Sequence, residues 1–150
     1  MGDRVVCPLF QRTFLILFPA VLGAAMVWAQ SAPDVVTFLR TLGETLSEAH
    51  EGNGNGIPDA TPFLDQFDHT MPNYPEFRDE IQTLVARAQV GTAIEIVSDQ
   101  GDQQKRTLKL DWVLEIEDQR PRRQIVDCTI EREKSKWKVT KLDPIEFFKY

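Results

Sequence analysis

Few side chains in this sequence can move protons or hold ions, and their spacing narrows the chemistry further. The histidines are His50 and His69. His69 directly follows Asp68, so a neighbouring carboxylate and imidazole form the candidate acid–base couple. His50 stands beside Glu51 at an expected helix end, where an imidazole gains from the helix dipole and serves as a cap. Asp127 is a further candidate acid, because a one-residue bulge in its strand would turn it inward. The cysteines are Cys7 and Cys128. Cys128 alternates with Val126 and Ile130, so its thiol is expected on a buried face, where it behaves as a small inert apolar group. The sequence contains no serine–histidine–acid set, no glycine loop of the phosphate-cradling kind and no paired-cysteine metal motif.

One segment imitates an ion site. From Glu51 to Asp59, oxygen donors alternate at Glu51, Asn53, Asn55 and Asp59, with Gly56 at the sixth place of the loop, in the manner of an oxygen-ligand calcium loop. Glutamate replaces the short first ligand and Pro62 occupies the closing bidentate place. A flexible Gly-Asn turn is therefore expected, with neither metal nor cofactor.

The elements that must position these groups follow from composition and periodicity. The chain has 150 residues, 42% hydrophobic and 27% charged, which suits one compact domain. Its formal net charge of -6 argues against a nucleic-acid partner. Arg4 and Arg12 precede an apolar run from Thr13 to Trp28 that is shorter than the roughly 20 residues a spanning helix needs. Val27-Trp28-Ala29 offers the small-residue pattern of a signal-peptidase site. Residues 1–29 are thus expected to be a signal peptide cleaved after Ala29, with export to the periplasm or the outside and a mature domain of residues 30–150. An uncleaved leader acting as a membrane anchor is the alternative. Cleavage leaves Cys128 without a disulfide partner. Acidity concentrates early: residues 30–90 carry 10 acids and 3 bases, residues 91–150 carry 12 of each.

Val35, Phe38, Leu39, Leu42, Leu46 and Ala49 recur at helical steps, predicting a helix from Pro33 to about His50 capped by Ser31 or Asp34. Thr61-Pro62 opens a short second helix with Phe63, Leu64 and Phe67. Asn73 and Glu76 bracket a capping box ahead of a third, with Phe77, Ile81, Leu84 and Ala88 on its stripe. After Gly91 the period becomes two and predicts four strands. These are about Thr92–Ser98, Arg106–Glu117, a third around Val126–Glu131, and a last one from Trp137 that is interrupted near Asp143-Pro144 and resumes with Ile145, Phe147 and Phe148. That terminal strip, with Tyr150, is expected either to pack on the first helix or to offer a homodimer contact. Lysines and arginines collect at turns and outward positions, where they solvate the sheet and pair with Glu115, Glu117 and Glu131.

The expected fold is therefore α+β, with three N-terminal helices packed on a curved antiparallel four-stranded sheet. Parity places Leu108, Leu110, Trp112, Leu114, Val126, Cys128, Ile130, Trp137 and Val139 on the inner wall, and Asp111, Glu115, Glu117, Asp127 and Glu131 outside. The element order resembles the nuclear transport factor 2-like superfamily, with its SnoaL-like and steroid isomerase-like branches. It does so through Phe63-Leu64-Asp65-Gln66-Phe67-Asp68, Tyr74-Pro75-Glu76-Phe77-Arg78, and Trp137-Lys138-Val139 followed by Asp143-Pro144-Ile145. The resemblance implies a cystatin-like cone whose hollow often holds a small apolar ligand, and enzymes of this kind place a carboxylate or histidine within it. Since the inner wall carries no base, the leading expectation is an exported non-catalytic module. It would bind a small apolar molecule or a protein partner through Leu110, Trp112, Val126, Cys128 and Trp137, with Tyr74 at the rim. Two readings stand beside it: an isomerase- or cyclase-type enzyme using Asp68, His69 or Asp127, and a dimeric interaction module with a filled cone.

Overall fold

The structure, a computed structural model, describes residues 31–150 apart from 53 and 55. The expected leader and the loop residues Asn53 and Asn55 lie outside the described residues. The first helix, α1 (Pro33–Glu48), buries Val35, Leu39, Leu42 and Leu46 along one stripe. Neither Ser31 nor Asp34 caps it. The N-cap is Ala32, without a side-chain bond, and Pro33 supplies the pre-set φ of a first turn instead. A single turn, α2 (Thr61–Leu64), follows, with the Thr61 amide bonded to Asp59 Oδ1 at 2.9 Å. The third helix, α3 (Tyr74–Arg87), departs from Asn73 in the left-handed region at φ 62° with no side-chain cap. The expected Asn73–Glu76 capping box is thereby lost, because a capping side chain needs the extended φ/ψ of an N-cap to reach the following amides.

The sheet is an antiparallel meander of β1 (Val90–Gly101), β2 (Lys105–Ile116), β3 (Arg122–Glu133) and β4 (Lys136–Asp143), in that spatial order. Ile94 faces Trp112, Leu110 faces Val126, and Leu108 faces Cys128. Along β2 every second residue from Leu108 to Ile116 is buried, as period-two alternation requires. The first strand runs beyond its expected end at Ser98. A bulge between Ile96 and Ser98 leaves Val97 outside at 58% exposure and brings Asp99 opposite Leu108. The turn moves on to Asp102, whose Oδ1 accepts the amides of Gln104 and Lys105 at 2.7 and 3.0 Å.

The C-terminus departs most from expectation. The strand stops at Asp143, and Ile145–Phe148 form a 3-10 turn, since Pro144 has no N–H to offer a ladder. Ile145, Phe147 and Phe148 are buried, so these three residues of the terminal strip belong to the core. Phe148 stands edge-on to Trp112 at 5.0 Å and to Phe77 at 5.4 Å between centroids. Tyr150 remains exposed beneath the Arg87 guanidinium, 5.3 Å from its ring centre. The outer edge of β4 is closed by the chain after α2: Phe67 bridges Val139, the Asp68 amide donates to Val139 O at 2.8 Å, and the Val139 amide donates to Gln66 O at 2.9 Å. The outer edge of β1 has no such cover among the described residues. Helices and inner sheet face share one hydrophobic core, as two half-apolar layers must.

Candidate functional site

The residues expected to line a ligand wall are packed among the protein's own side chains. Leu110, Trp112 and Val126 are fully buried, Cys128 is 1% exposed, and Tyr74 and Trp137 are 7% exposed. Above them, Phe67 lies 5.0 Å from Phe63 and 4.7 Å from Phe77, centroid to centroid. The Trp112 indole donates to Thr92 Oγ1 at 2.6 Å, and that hydroxyl donates onward to Val113 O at 3.0 Å. The buried indole is thus satisfied internally. Burial pushes the Cys128 thiol up to about 12, which leaves it without thiolate character near neutral pH.

The bulge at Val97 turns one acid inward. Asp99, with its side chain 3% exposed, accepts from Arg106 Nε at 2.6 Å, and Arg106 Nη1 also holds Asp102 O at 3.2 Å. The second oxygen of Asp99 is buried with no partner. The guanidinium balances this carboxylate, so the pair locks the β1–β2 hairpin. The sequence ends the first strand near Ser98, which leaves Asp99 beyond it, and nothing in the local sequence marks the extra residue.

The candidate catalytic groups are kept apart. Asp68 Oδ1 accepts both the hydroxyl and the amide of Thr70 at 2.7 Å, and these bonds, the hydroxyl's first, hold its carboxyl below its ordinary range. His69 is exposed and stacks on the Tyr74 ring at 4.6 Å. No hydrogen bond joins Asp68 to His69 among the described residues. Asp127 points outward onto Lys109 Nζ at 2.9 Å, so the register carries it away from the hollow. His50 donates from Nδ1 to Val85 O at 2.7 Å, pinning the end of α1 to α3. In the imitation calcium loop, Glu51 is exposed, while Asp59 is spent on Thr61, whose hydroxyl and amide hold its carboxyl low. Among the described residues no three His, Cys, Asp or Glu side chains stand together as an ion site.

Open space lies outside the hollow, in a groove of about 860 Å³ between α1, α2 and the β3–β4 hairpin. Trp137 and Phe38 give it an apolar floor, and Thr37, Thr41 and Thr45 form its helical wall. Each threonine hydroxyl is committed to the carbonyl four residues earlier, at 2.9, 3.1 and 2.9 Å, so this wall presents mainly methyl groups. At one end the Asp34 carboxylate accepts the Trp137 indole N–H at 3.0 Å and the Arg132 guanidinium. These bonds, Trp137's first, hold Asp34 below the usual carboxylate range. Arg132 lies 4.5 Å from the Trp137 ring centre, in cation–π contact. At the other end Gln66 donates to Thr45 Oγ1 at 2.7 Å and to Pro62 O at 3.2 Å, and its Oε1 is buried without a partner. The sequence placed Trp137 on the inner wall, where it joins the core and also borders this groove; it gave Asp34 to a cap and Phe38 to the stripe of α1, and singled out neither Gln66 nor Arg132 as site residues. Phe38 is only partly buried and packs against the core from the edge of that stripe.

The outer sheet face is a lattice of cross-strand ion pairs: Lys105 with Glu131 at 2.8 Å, Lys109 with Asp127 at 2.9 Å and Arg123 with Asp111 at 2.5 Å. Bases and acids alternate there, whereas a nucleic-acid surface would interleave unpaired bases with exposed aromatic rings.

No family model and no curated protein matches the chain. Solved structures do. A designed protein of the nuclear transport factor 2-like type is 13% identical with a TM-score of 0.51, covering 73% of this chain and 97% of its own. A protein of unknown function with a cystatin-like fold, from Nostoc punctiforme, is 12% identical with a TM-score of 0.53, covering 74% of this chain and 90% of its own. At such identities the likeness speaks for the fold alone. The chain has the α+β cystatin-like architecture, a four-stranded antiparallel sheet preceded by its helices.

Proposed function

We propose that the chain is an exported, non-catalytic binding module whose ligand is a small apolar molecule seated on Trp137, outside the cone. The observation that carries this reading is the contrast between an interior filled by Phe63, Phe67, Phe77, Trp112 and Phe148 and a groove of about 860 Å³ floored by Trp137 and Phe38. Such a floor, within a charged rim of Asp34, Asp65, Arg132, Lys136 and Lys138, suits a flat or chain-like apolar body held by shape and desolvation. Gln66 and Arg132 at the two ends can orient a polar tail. Of the carboxylates lining the groove, Asp34 is bonded to Trp137 and Arg132 and Asp65 is exposed, and no histidine lines it among the described residues. Export rests on the leader pattern around Arg4, Arg12 and Val27-Trp28-Ala29.

The test uses 1-anilinonaphthalene-8-sulfonate as the apolar probe, read by its emission, together with mass spectrometry of small molecules that copurify. The reading expects the native protein to bind the probe and Phe38→Asp with Trp137→Ala to weaken it about tenfold or more, as loss of two apolar contacts implies. Unchanged probe affinity in that double variant, with folding intact by circular dichroism, would overturn it. For export, the mature protein should begin at Gln30, and retention of Met1 would identify an anchor instead.

A further inference from the structure

We infer that the open edge of β1 is a docking site for an extended peptide segment of alternating apolar and basic residues, which joins the sheet as a fifth strand beneath α1. This site is separate from the Trp137 groove and does not depend on it.

The two edges of the sheet are treated differently. At β4, Phe67 and the backbone of Gln66 and Asp68 occupy the outer hydrogen-bonding groups of Val139. At β1, a strand of 12 residues, backbone partners come from β2 alone among the described residues. Such an edge is a template for another strand unless it is blunted. Its blunting begins only at the bulge after Ile96, so Gly91 to Ile96 present a regular ladder. A trough of about 780 Å³ lies alongside, with Val36, Leu39 and Gly43 of α1 on one wall and Thr92, Ile94 and Ile96 on the other. Gly43 brings the helix close: a β-carbon there would lie 3.5 Å from Thr92 Cγ2 and 3.8 Å from Ile94 Cδ1.

An added strand would turn alternate side chains toward opposite faces. Those facing α1 meet Val36, Leu39 and Ile96 and call for apolar residues. At the intervening places, on the face away from α1, an added strand meets Glu95, which stands opposite Asp111. Glu44 and Glu48 rim the trough on the α1 side against its single lining base Arg40, so lysine or arginine suits the places between and beside the apolar ones. A second copy would bring this acidic rim against itself, in a chain already of net charge -6. Charge therefore selects a basic partner over self-association.

The probe is an acetylated, amidated octapeptide alternating lysine and valine, titrated into the purified protein and followed by amide hydrogen exchange and nuclear magnetic resonance shifts. Expected are slowed exchange and shifts within Gly91 to Ile96. Binding should fall about tenfold or more for Glu44→Lys with Glu95→Lys, since like charges then face each other. It should vanish for a peptide N-methylated at alternate amides, which cannot complete the ladder. Binding that survives N-methylation, shifts confined to another surface, or a peptide-free dimer already protecting Gly91 to Ile96 would each overturn the proposal, the last by placing a second copy on the edge. Circular dichroism of the double variant, whose substitutions lie on exposed positions, verifies that a lost signal is not lost folding.

Discussion

The indole N–H of Trp137 donates to the carboxylate of Asp34 at 3.0 Å across 103 positions of sequence, joining the first turn of α1 to the β3–β4 hairpin. The bond sets the width of the Trp137 groove at that end, because α1 carries Phe38 and Thr37 while the hairpin carries Trp137 and Arg132. Helix and hairpin close on one another where an indole and a guanidinium share one acceptor.

This shared acceptor makes stability depend on pH in a defined direction. Its bonds, Trp137's first, hold Asp34 below the ordinary carboxylate pKa, so the stabilisation is complete above the unfolded-state value and is lost as pH falls through the lower folded-state value. Melting curves of the wild type and Asp34→Asn, taken from pH 7 downward, should therefore differ most near neutrality and converge in acid. Asp34 is half-exposed, with 48% of its side chain accessible, so solvent screening keeps the difference small. Curves that run parallel at all pH values would refute the linkage.

Side-chain parity in β2 separates two neighbours. Trp112 is fully buried, and Trp112→Asp should abolish folding by burying an unpaired charge. Asp111 pairs on the outer face with Arg123, itself 68% exposed, so Asp111→Asn should leave the melting temperature nearly unchanged. Equal sensitivity at the two positions would contradict the face assignment.

The terminal 3-10 turn acts as a stopper for the interior. Phe148 is fully buried against Trp112 and Phe77, and Phe148→Ala should cost about 3–5 kcal/mol, the range for deleting a core ring. Chemical denaturation measures this directly. A loss below about 1 kcal/mol would mean that the segment is not part of the core.

The thiol supplies a probe of opening. With its pKa pushed up to about 12 by burial, Cys128 should resist a disulfide-exchange reagent at pH 8 until the chain unfolds in urea. Labelling of Cys128 in the native protein at the rate of a free thiol would show that β3 opens locally.

Much of the architecture was legible because period and parity are local properties. The stripe of Val35, Leu39, Leu42 and Leu46 needs a helix, and the alternation from Leu108 to Ile116 needs a half-buried strand whatever they pack against. The aromatic strip at the C-terminus was misplaced, since Ile145, Phe147 and Phe148 carry the same apolar signal in a strand as in a 3-10 turn. Only the missing N–H of Pro144 and the space beside Trp112 and Phe77 decide between them. The inward turn of Asp99 escaped for a related reason: a bulge adds one residue to one strand, and its location is set by pairing with a partner strand.

The order of the residues alone determined the helical stripes and the inner and outer faces of β2 and β3. Tertiary structure decided that the hollow is occupied, that Trp137 lies along a groove beside Phe38, that Asp68 bonds Thr70 while His69 stacks on Tyr74, and that among the described residues β4 is covered while β1 is open. Local periodicity governs which way a side chain points relative to its own element. What that side chain meets depends on elements as much as 103 positions away, whose approach is fixed by the packing of the whole core.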